Sequence, residues 1–240
     1  MVPTGRSNGQ MERGLYIAAT GMVAEQVRQD QIANDLANAS TPGYKADRST
    51  QRSFGDLLLS NTVSGQTVGP LGMGSEIDRI YTDTTAAPLR DTGEPLDFAI
   101  QGDGWFGVQT PQGVRYTRNG QFQLSPQGNL IDGMGNQVLG RNGGAVRPAA
   151  DGTVNGLALG VFNVANPRKI GDSYVTGAAG GQATGLVRVG ALEASNADPA
   201  KSMVSMIASY RAYEASQRVI RTIDQTLQKA SNQVGSLNGG

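Results

Sequence analysis

Cysteine and histidine are both absent from the 240-residue chain. Without them there is no Ser-His-Asp or Cys-His catalytic arrangement, no thiolate chemistry and almost no route to a zinc site. Disulfides are excluded as well, so stability has to come from packing or assembly. Aromatic residues make up 5% and apolar residues 38% of the chain, little for a thick enzyme core. No stretch of 18 apolar residues occurs, so no helix spans a bilayer and membrane insertion is not expected. Lys plus Arg equals Asp plus Glu at 20 each, which leaves no net field to draw the chain to nucleic acid.

What is abundant is glycine, at 34 residues about twice the usual share. It concentrates between two patterned ends. Near the C-terminus Met206, Tyr213, Ile220, Leu227 and Val234 recur every seven residues, and Ile207, Tyr210, Val219 and Ile223 are expected to widen that face. Pro199 to Val234 has no internal Gly or Pro, so it can run as one helix on the order of 50 Å long. Asp198 followed by Pro199 is a helix start signal, a capping side chain before a residue with preset φ. At the other end Leu15, Ala18, Met22, Gln29, Ile32 and Leu36 keep a three-four spacing between Met11 and Asn38. Residues 1–10 are polar and lack a secretory signal pattern, and they read as a flexible extension.

The first helix should end at the breakers Asn38-Ala39-Ser40-Thr41-Pro42-Gly43. Residues 46–80 read as a linker: a short helical turn or a packed extended arm around Phe54, Leu57 and Leu58, then a mobile loop from Asn61 to Gly74. A β domain over 81–192 follows. Asp97 to Gln101 alternates like a half-buried strand, and Pro-Gln-Gly turns at 111–113 and 126–128 punctuate a β-meander with an Asn119-Gly120 turn between them. Leu157 to Val164 and Leu186 to Leu192 read as strands, and Gly177 to Gly185 as a flexible loop. Residues 193–240 hold the last helix. The fold class expected is α+β: the N- and C-terminal helices form a coiled-coil-like pair, with an inserted glycine-rich antiparallel β domain. Two helices alone leave much apolar surface wet, so the stripes call for partners outside the chain.

The apparent chemical motifs have plainer explanations. Gly102-Asp103-Gly104-Trp105-Phe106-Gly107 has dinucleotide-loop spacing, but strand rather than helix follows it, so it reads as a glycine hairpin turn. Asp78, Asp83, Asp91, Glu94, Asp97, Asp103 and Asp132 are scattered over turns and make no convincing acid-base pair. Asn38-Ala39-Ser40 is a formal glycosylation tripeptide better explained by helix termination. No catalytic, cofactor or metal residues are expected.

Five segments carry a resemblance. ANDLANASTPGYK (33–45), LDFAIQGDGWFGVQ (96–109), YTRNGQFQLSPQGNLI (116–131), GALEASNAD (190–198) and RAYEASQRVI (211–220) resemble, in order, signatures of the bacterial flagellar rod and hook proteins. The resemblance implies a structural subunit of the flagellum basal body, distal-rod class before proximal. It implies export by the flagellar type III apparatus without a cleaved signal. In that family terminal helices form the inner tube of a helical homopolymer, which transmits torque and lets export substrates pass, alongside other rod and hook subunits. On that basis Leu15, Met22, Ile32 and Leu36 are expected to pack with Met206, Tyr213, Ile220 and Leu227 within and between subunits. Asn34, Asn38 and Thr41 are expected to make polar contacts at the bend, and Gly43 to permit the turn. The rival reading is a carbohydrate- or peptide-binding β module dimerised by its helices, with a ligand-sized pocket near Trp105.

Overall fold

The computed structural model describes residues 5–53, 56–60, 67–72, 74–149, 152–171 and 173–237. The elements run α1 (Gly5–Ala37), β1 (Asp47–Ser53), β2 (Asp56–Ser60), β3 (Thr67–Gly72), β4 (Ser75–Thr82), β5 (Leu89–Asp91), β6 (Phe98–Gln101), β7 (Trp105–Thr110) and β8 (Gly113–Thr117). There follow β9 (Gln123–Leu124), β10 (Leu130–Ile131), β11 (Gln137–Val138), β12 (Val161–Ile170), β13 (Tyr174–Gln182), β14 (Leu186–Val189), β15 (Ala191–Glu193) and α2 (Pro199–Leu237). Helices and antiparallel strands together make an α+β fold. Two units are distinct: Met1–Ala33, Ser49–Ile80 and Ala200–Gly240 form the first, and Asn34–Arg48 with Tyr81–Pro199 the second.

In the first unit α1 and α2 lie antiparallel. A Cβ added at Gly14 would meet Ile223 at 3.2 Å and one added at Gly21 would meet Ser216 at 3.6 Å. Farther along, the Ser209 hydroxyl donates to Glu25 Oε2 at 2.6 Å. Ser209, Ser216 and Ile223 therefore form a second seven-residue line beside Met206, Tyr213 and Ile220. Small residues on both helices let the backbones approach. Ile207, Tyr210 and Val219 stay exposed at the edge of this face rather than packed within it, and Ile207 and Tyr210 border the groove beside α1.

Helix α1 starts at Gly5, six residues before the expected Met11. Once a helix is nucleated each added residue gains a hydrogen bond, so polar residues can extend it. Helix α2 opens at Pro199 as its start signal requires. Of the two conformations expected for the linker the extended one is found: β1 pairs with β4 and β2 with β3. Thr67–Gly72, expected as mobile loop, is a strand whose Leu71 faces Leu57 in the register; the intervening 61–66, like Phe54, lies outside the described residues.

In the second unit the largest sheet has the order β12-β13-β8-β7-β11-β10-β9, and β12 also pairs with β7, closing a four-stranded ring. Strand β7 is buried on both faces, as its run Trp105-Phe106-Gly107-Val108 suggests. Phe106 joins Phe98, Ile100, Phe122, Leu130 and Val161 in the main core. Trp105 joins Tyr116, Val164 and Val175 in a second cluster. Side chains two apart on a strand share a face, so one strand serves both.

Three turn expectations need correction. Gly102 and Gly104 do not form a hairpin, because β6 pairs with β14 and β7 with β8, β11 and β12; the glycines carry the chain between sheets with φ of 101° and 124°. Asn119-Gly120 is not a two-residue hairpin either, since β8 and β9 do not pair and Phe98 N–H donates to Gly120 O at 3.0 Å. Gly177–Gly185 is mostly strand: β13 runs to Gln182, and a Cβ at Gly177 would come within 2.5 Å of Val164 Cγ1. Glycine there serves close strand approach rather than flexibility.

Two outcomes follow from this packing. A Cβ at Gly104 would lie 2.3 Å from Val161 Cγ1 and 2.7 Å from Ala183 Cβ. Gly104→Val is expected to cost at least about 1–2 kcal/mol of β-unit stability, read from the urea midpoint. The Tyr174 hydroxyl donates to Asp132, which also accepts from the N–H groups of Met134 and Asn136 at 2.9 and 2.8 Å. Burial and the Asp132 carboxylate push the Tyr174 phenol from 10.0 up to about 12. Across that window the folded chain holds a proton that the unfolded chain has lost. This group's contribution to stability is therefore full below pH 10 and is lost as pH rises through 12. In an alkaline absorbance titration Tyr174 should ionise near 12, and Tyr174→Phe should remove that step.

Candidate assembly interface

The positions named for assembly fall into two groups. On the helices Ile32 is buried, Met22, Leu36, Met206, Tyr213 and Ile220 are half-buried, and Leu15 and Leu227 are exposed. A further row not singled out beforehand is also open: Tyr16, Ile17 and Val23 on α1, and Met203 and Val204 on α2, Val23 at 62% and Val204 at 69%. Between the helices lies a groove of about 600 Å³, lined by Gln29, Ala33, Met206, Ile207 and Tyr210 among others. Fully removing each such aliphatic side chain from water is worth roughly 1.5–3 kcal/mol.

The second group sits after α1, within the second unit. Asn38 Nδ2 donates to Asn34 O at 3.0 Å, Thr41 Oγ1 donates to Asn38 Oδ1 at 3.1 Å, and Tyr44 OH donates to Asn34 Oδ1 at 2.6 Å. These bonds stop the helix within the chain. Gly43 has φ +67°, and a Cβ there would lie 2.2 Å from the Arg118 carbonyl carbon. It permits both the turn and a contact between backbones.

That contact leads to residues the sequence reasoning missed. Lys45 Nζ meets Glu193 Oε1 at 2.6 Å, and Arg118 Nη1 meets Glu193 Oε2 at 3.0 Å. The three side chains are 2%, 4% and 1% exposed for Lys45, Arg118 and Glu193. Two further donors are met by carbonyls: Lys45 Nζ donates to Thr85 O at 2.7 Å, and Arg118 Nη2 to Gly102 O at 2.9 Å. Glu193 also accepts from Ala87 N–H at 3.0 Å, and its own carbonyl accepts from Gly43 N–H at 2.8 Å. Burial pushes the Lys45 ammonium below its ordinary value, and Glu193 pulls it partly back. Beside it Lys169 Nζ stands 3.7 Å from the Tyr44 ring centroid, and Tyr44 OH lies 2.9 Å from Asp35 Oδ1, so that its one proton is shared between Asn34 and Asp35. Burial raises the Asp35 carboxyl, while its bonds from Tyr44 and from the Asp47 N–H lower it.

Lys45, Arg118 and Glu193 come from three of the five signature segments, and the fold brings those segments to one buried carboxylate. Three family descriptions match this chain in the same order: "Flagella basal body rod protein" over 15–45, "Flagellar hook protein FlgE/F/G D1 domain" over 99–170, and "Flagellar basal body rod FlgEFG protein C-terminal" over 188–233. The flagellar basal-body rod protein FlgG of Bacillus subtilis (strain 168) is 31% identical, with 92% of this chain and 99% of the relative covered. The chain belongs to the flagellar basal-body rod protein family. FlgG of Agrobacterium fabrum is 32% identical over 89% of this chain and 96% of the relative. FlgF of Mesorhizobium japonicum is 30% identical over 94% and 99%. As a rod protein the chain is a structural component of the flagellum basal body and not an enzyme.

Breaking the buried ion cluster in this rod protein should be costly. Glu193→Gln leaves Lys45 and Arg118 buried without their carboxylate, at a cost of about 3–5 kcal/mol. A urea titration of the full chain should show the β-unit transition moving to lower denaturant by that amount.

Proposed function

We propose that the chain is a distal-rod subunit that polymerises through α1 and α2 into a helical tube. The observation that carries this reading is the row of apolar side chains left in water on both terminal helices, from Leu15 to Val23 and from Met203 to Leu227. Two helices that pack on each other and remain apolar on their flanks have faces for neighbours on more than one side. Such faces, being different from each other, meet head to tail, and contacts of that kind need not close into a small ring. The similarity to FlgG proteins, more frequent than to FlgF, favours the distal class.

In this reading α1 and α2 pair as a coiled coil, and Leu15, Met22, Ile32, Leu36, Met206, Tyr213, Ile220 and Leu227 supply contacts within and between subunits. The helices line the tube, the tube carries torque, and export substrates pass along its bore. Neighbouring rod and hook subunits cap the stack at its two ends. The subunit reaches its extracytoplasmic place through the flagellar export apparatus, without a cleaved signal.

Electron microscopy of the purified chain at rising concentration tests this. Open-ended tubes are expected; a small closed oligomer at every concentration would favour the β-module reading instead. Leu227→Asp and Val204→Asp place a charge on faces that are exposed in the single chain, so its melting should move by less than about 0.5 kcal/mol. In the polymer each would bury an unpaired charge at several kcal/mol per subunit, and tubes should be lost. Normal assembly of both variants would remove these faces from the interface.

A further inference from the structure

Inside the cluster Lys45 and Arg118 share the single carboxylate of Glu193, while next to it Asp83 pairs with Arg48, and Asp47 and Asp35 both face Lys169. The Arg118 guanidinium is not fully satisfied, because its buried Nε meets no hydrogen-bond acceptor among the described residues. A buried donor without a partner is costly, and the cost is relieved by an acceptor brought next to it.

A cleft opens beside Arg118. It has a volume of about 320 Å³ and is lined by Arg118, Trp105, Asp103, Asn163, Gln182 and Thr184 among others. Arg118 and Trp105 are almost fully buried and form its floor, with the guanidinium carbon 5.4 Å from the indole centroid. Asp103, Asn163 and Gln182 are exposed and stand around the mouth. A guanidinium under an aromatic face, ringed by amides and hydroxyls, suits a planar anion with hydrogen-bonding oxygens.

We propose that this cleft binds a carboxylate, held by Arg118 and by contact with Trp105. The carboxylate comes either from a Glu or Asp side chain of a neighbouring protein or from a free organic acid. Its size admits one acidic side chain with its adjoining backbone, or one small acid. Asp103 at the mouth opposes entry of an anion and thereby limits the affinity. The inference stands apart from the assembly reading, since none of these residues lies on α1 or α2.

Trp105 is the single tryptophan of the chain, so its fluorescence reports on the cleft floor alone. Titration of the full-length chain with N-acetylglutamate should give a saturable change, weakened by salt, while N-acetylglutamine gives none. Asp103→Asn should tighten binding several-fold by removing the opposing charge. Arg118→Gln also breaks the Glu193 pair, so the specificity test rests on Asn163→Leu and Thr184→Val, which alter the walls and spare the cluster. Both should weaken the response with unchanged melting. A capped Gly-Gly-Glu-Gly-Gly peptide separates the sources: it binds at least as well as N-acetylglutamate if the carboxylate belongs to a protein, and is excluded if the site takes a free acid. No saturable change, or an equal response to N-acetylglutamine, would overturn the proposal.

Discussion

The Glu193 carboxylate, closed off from water between Lys45 and Arg118, is the contact on which the second unit depends. Removing three charged groups from solvent costs several kcal/mol per ion, and short, well-partnered bonds are needed to offset it. The cluster meets that condition by drawing in backbone carbonyls at Thr85 and Gly102 and the N–H of Ala87. Satisfying one carboxylate thus fixes the position of the segment after α1, the end of β8, and β15. None of the three side chains can leave without stranding another. A buried ionic cluster of this kind adds little net stability over an apolar substitute, but it tolerates few alternative registers.

The helices work under the opposite condition. Their mutual contact uses small residues, Gly14, Gly21, Ser209 and Ser216, which brings the backbones close but buries little apolar surface. Larger side chains such as Val204, Ile207, Tyr210 and Val23 remain in water. The chain therefore has one part that is complete by itself and another whose apolar surface awaits a neighbour. Stability should divide accordingly, high in the β unit and low in the free helices.

Much of this was legible in local sequence. The helix start at Pro199 and the Pro-Gln-Gly turns after β7 and β9 are signals confined to a few residues, and the structure follows them; β6 is a strand as expected but buried on both faces rather than half-buried. What local pattern did not carry was pairing between distant segments. Strand β6 pairs with β14, far along the chain, so Gly102 and Gly104 link two sheets rather than two halves of a hairpin. Gly177 looked like loop because its sequence neighbours are small, whereas its lack of a side chain answers to Val164 on β12. Lys45, Arg118 and Glu193 were the hardest to see. Charged residues in turn-rich segments ordinarily face solvent, and only the folded chain shows that the three meet. The expected polar bend at Asn34, Asn38 and Thr41 was visible because its partners lie within a few residues of each other.

Hydrogen exchange on the monomer and then on the assembled protein tests the division of stability most directly. In the monomer the Gly43 and Ala87 amides, bonded to Glu193, should exchange as slowly as the amides of β7. Amides from Met203 to Leu227 should exchange faster and become protected on assembly. Slow exchange throughout α2 in a confirmed monomer, or fast exchange at Gly43 and Ala87, would contradict the account.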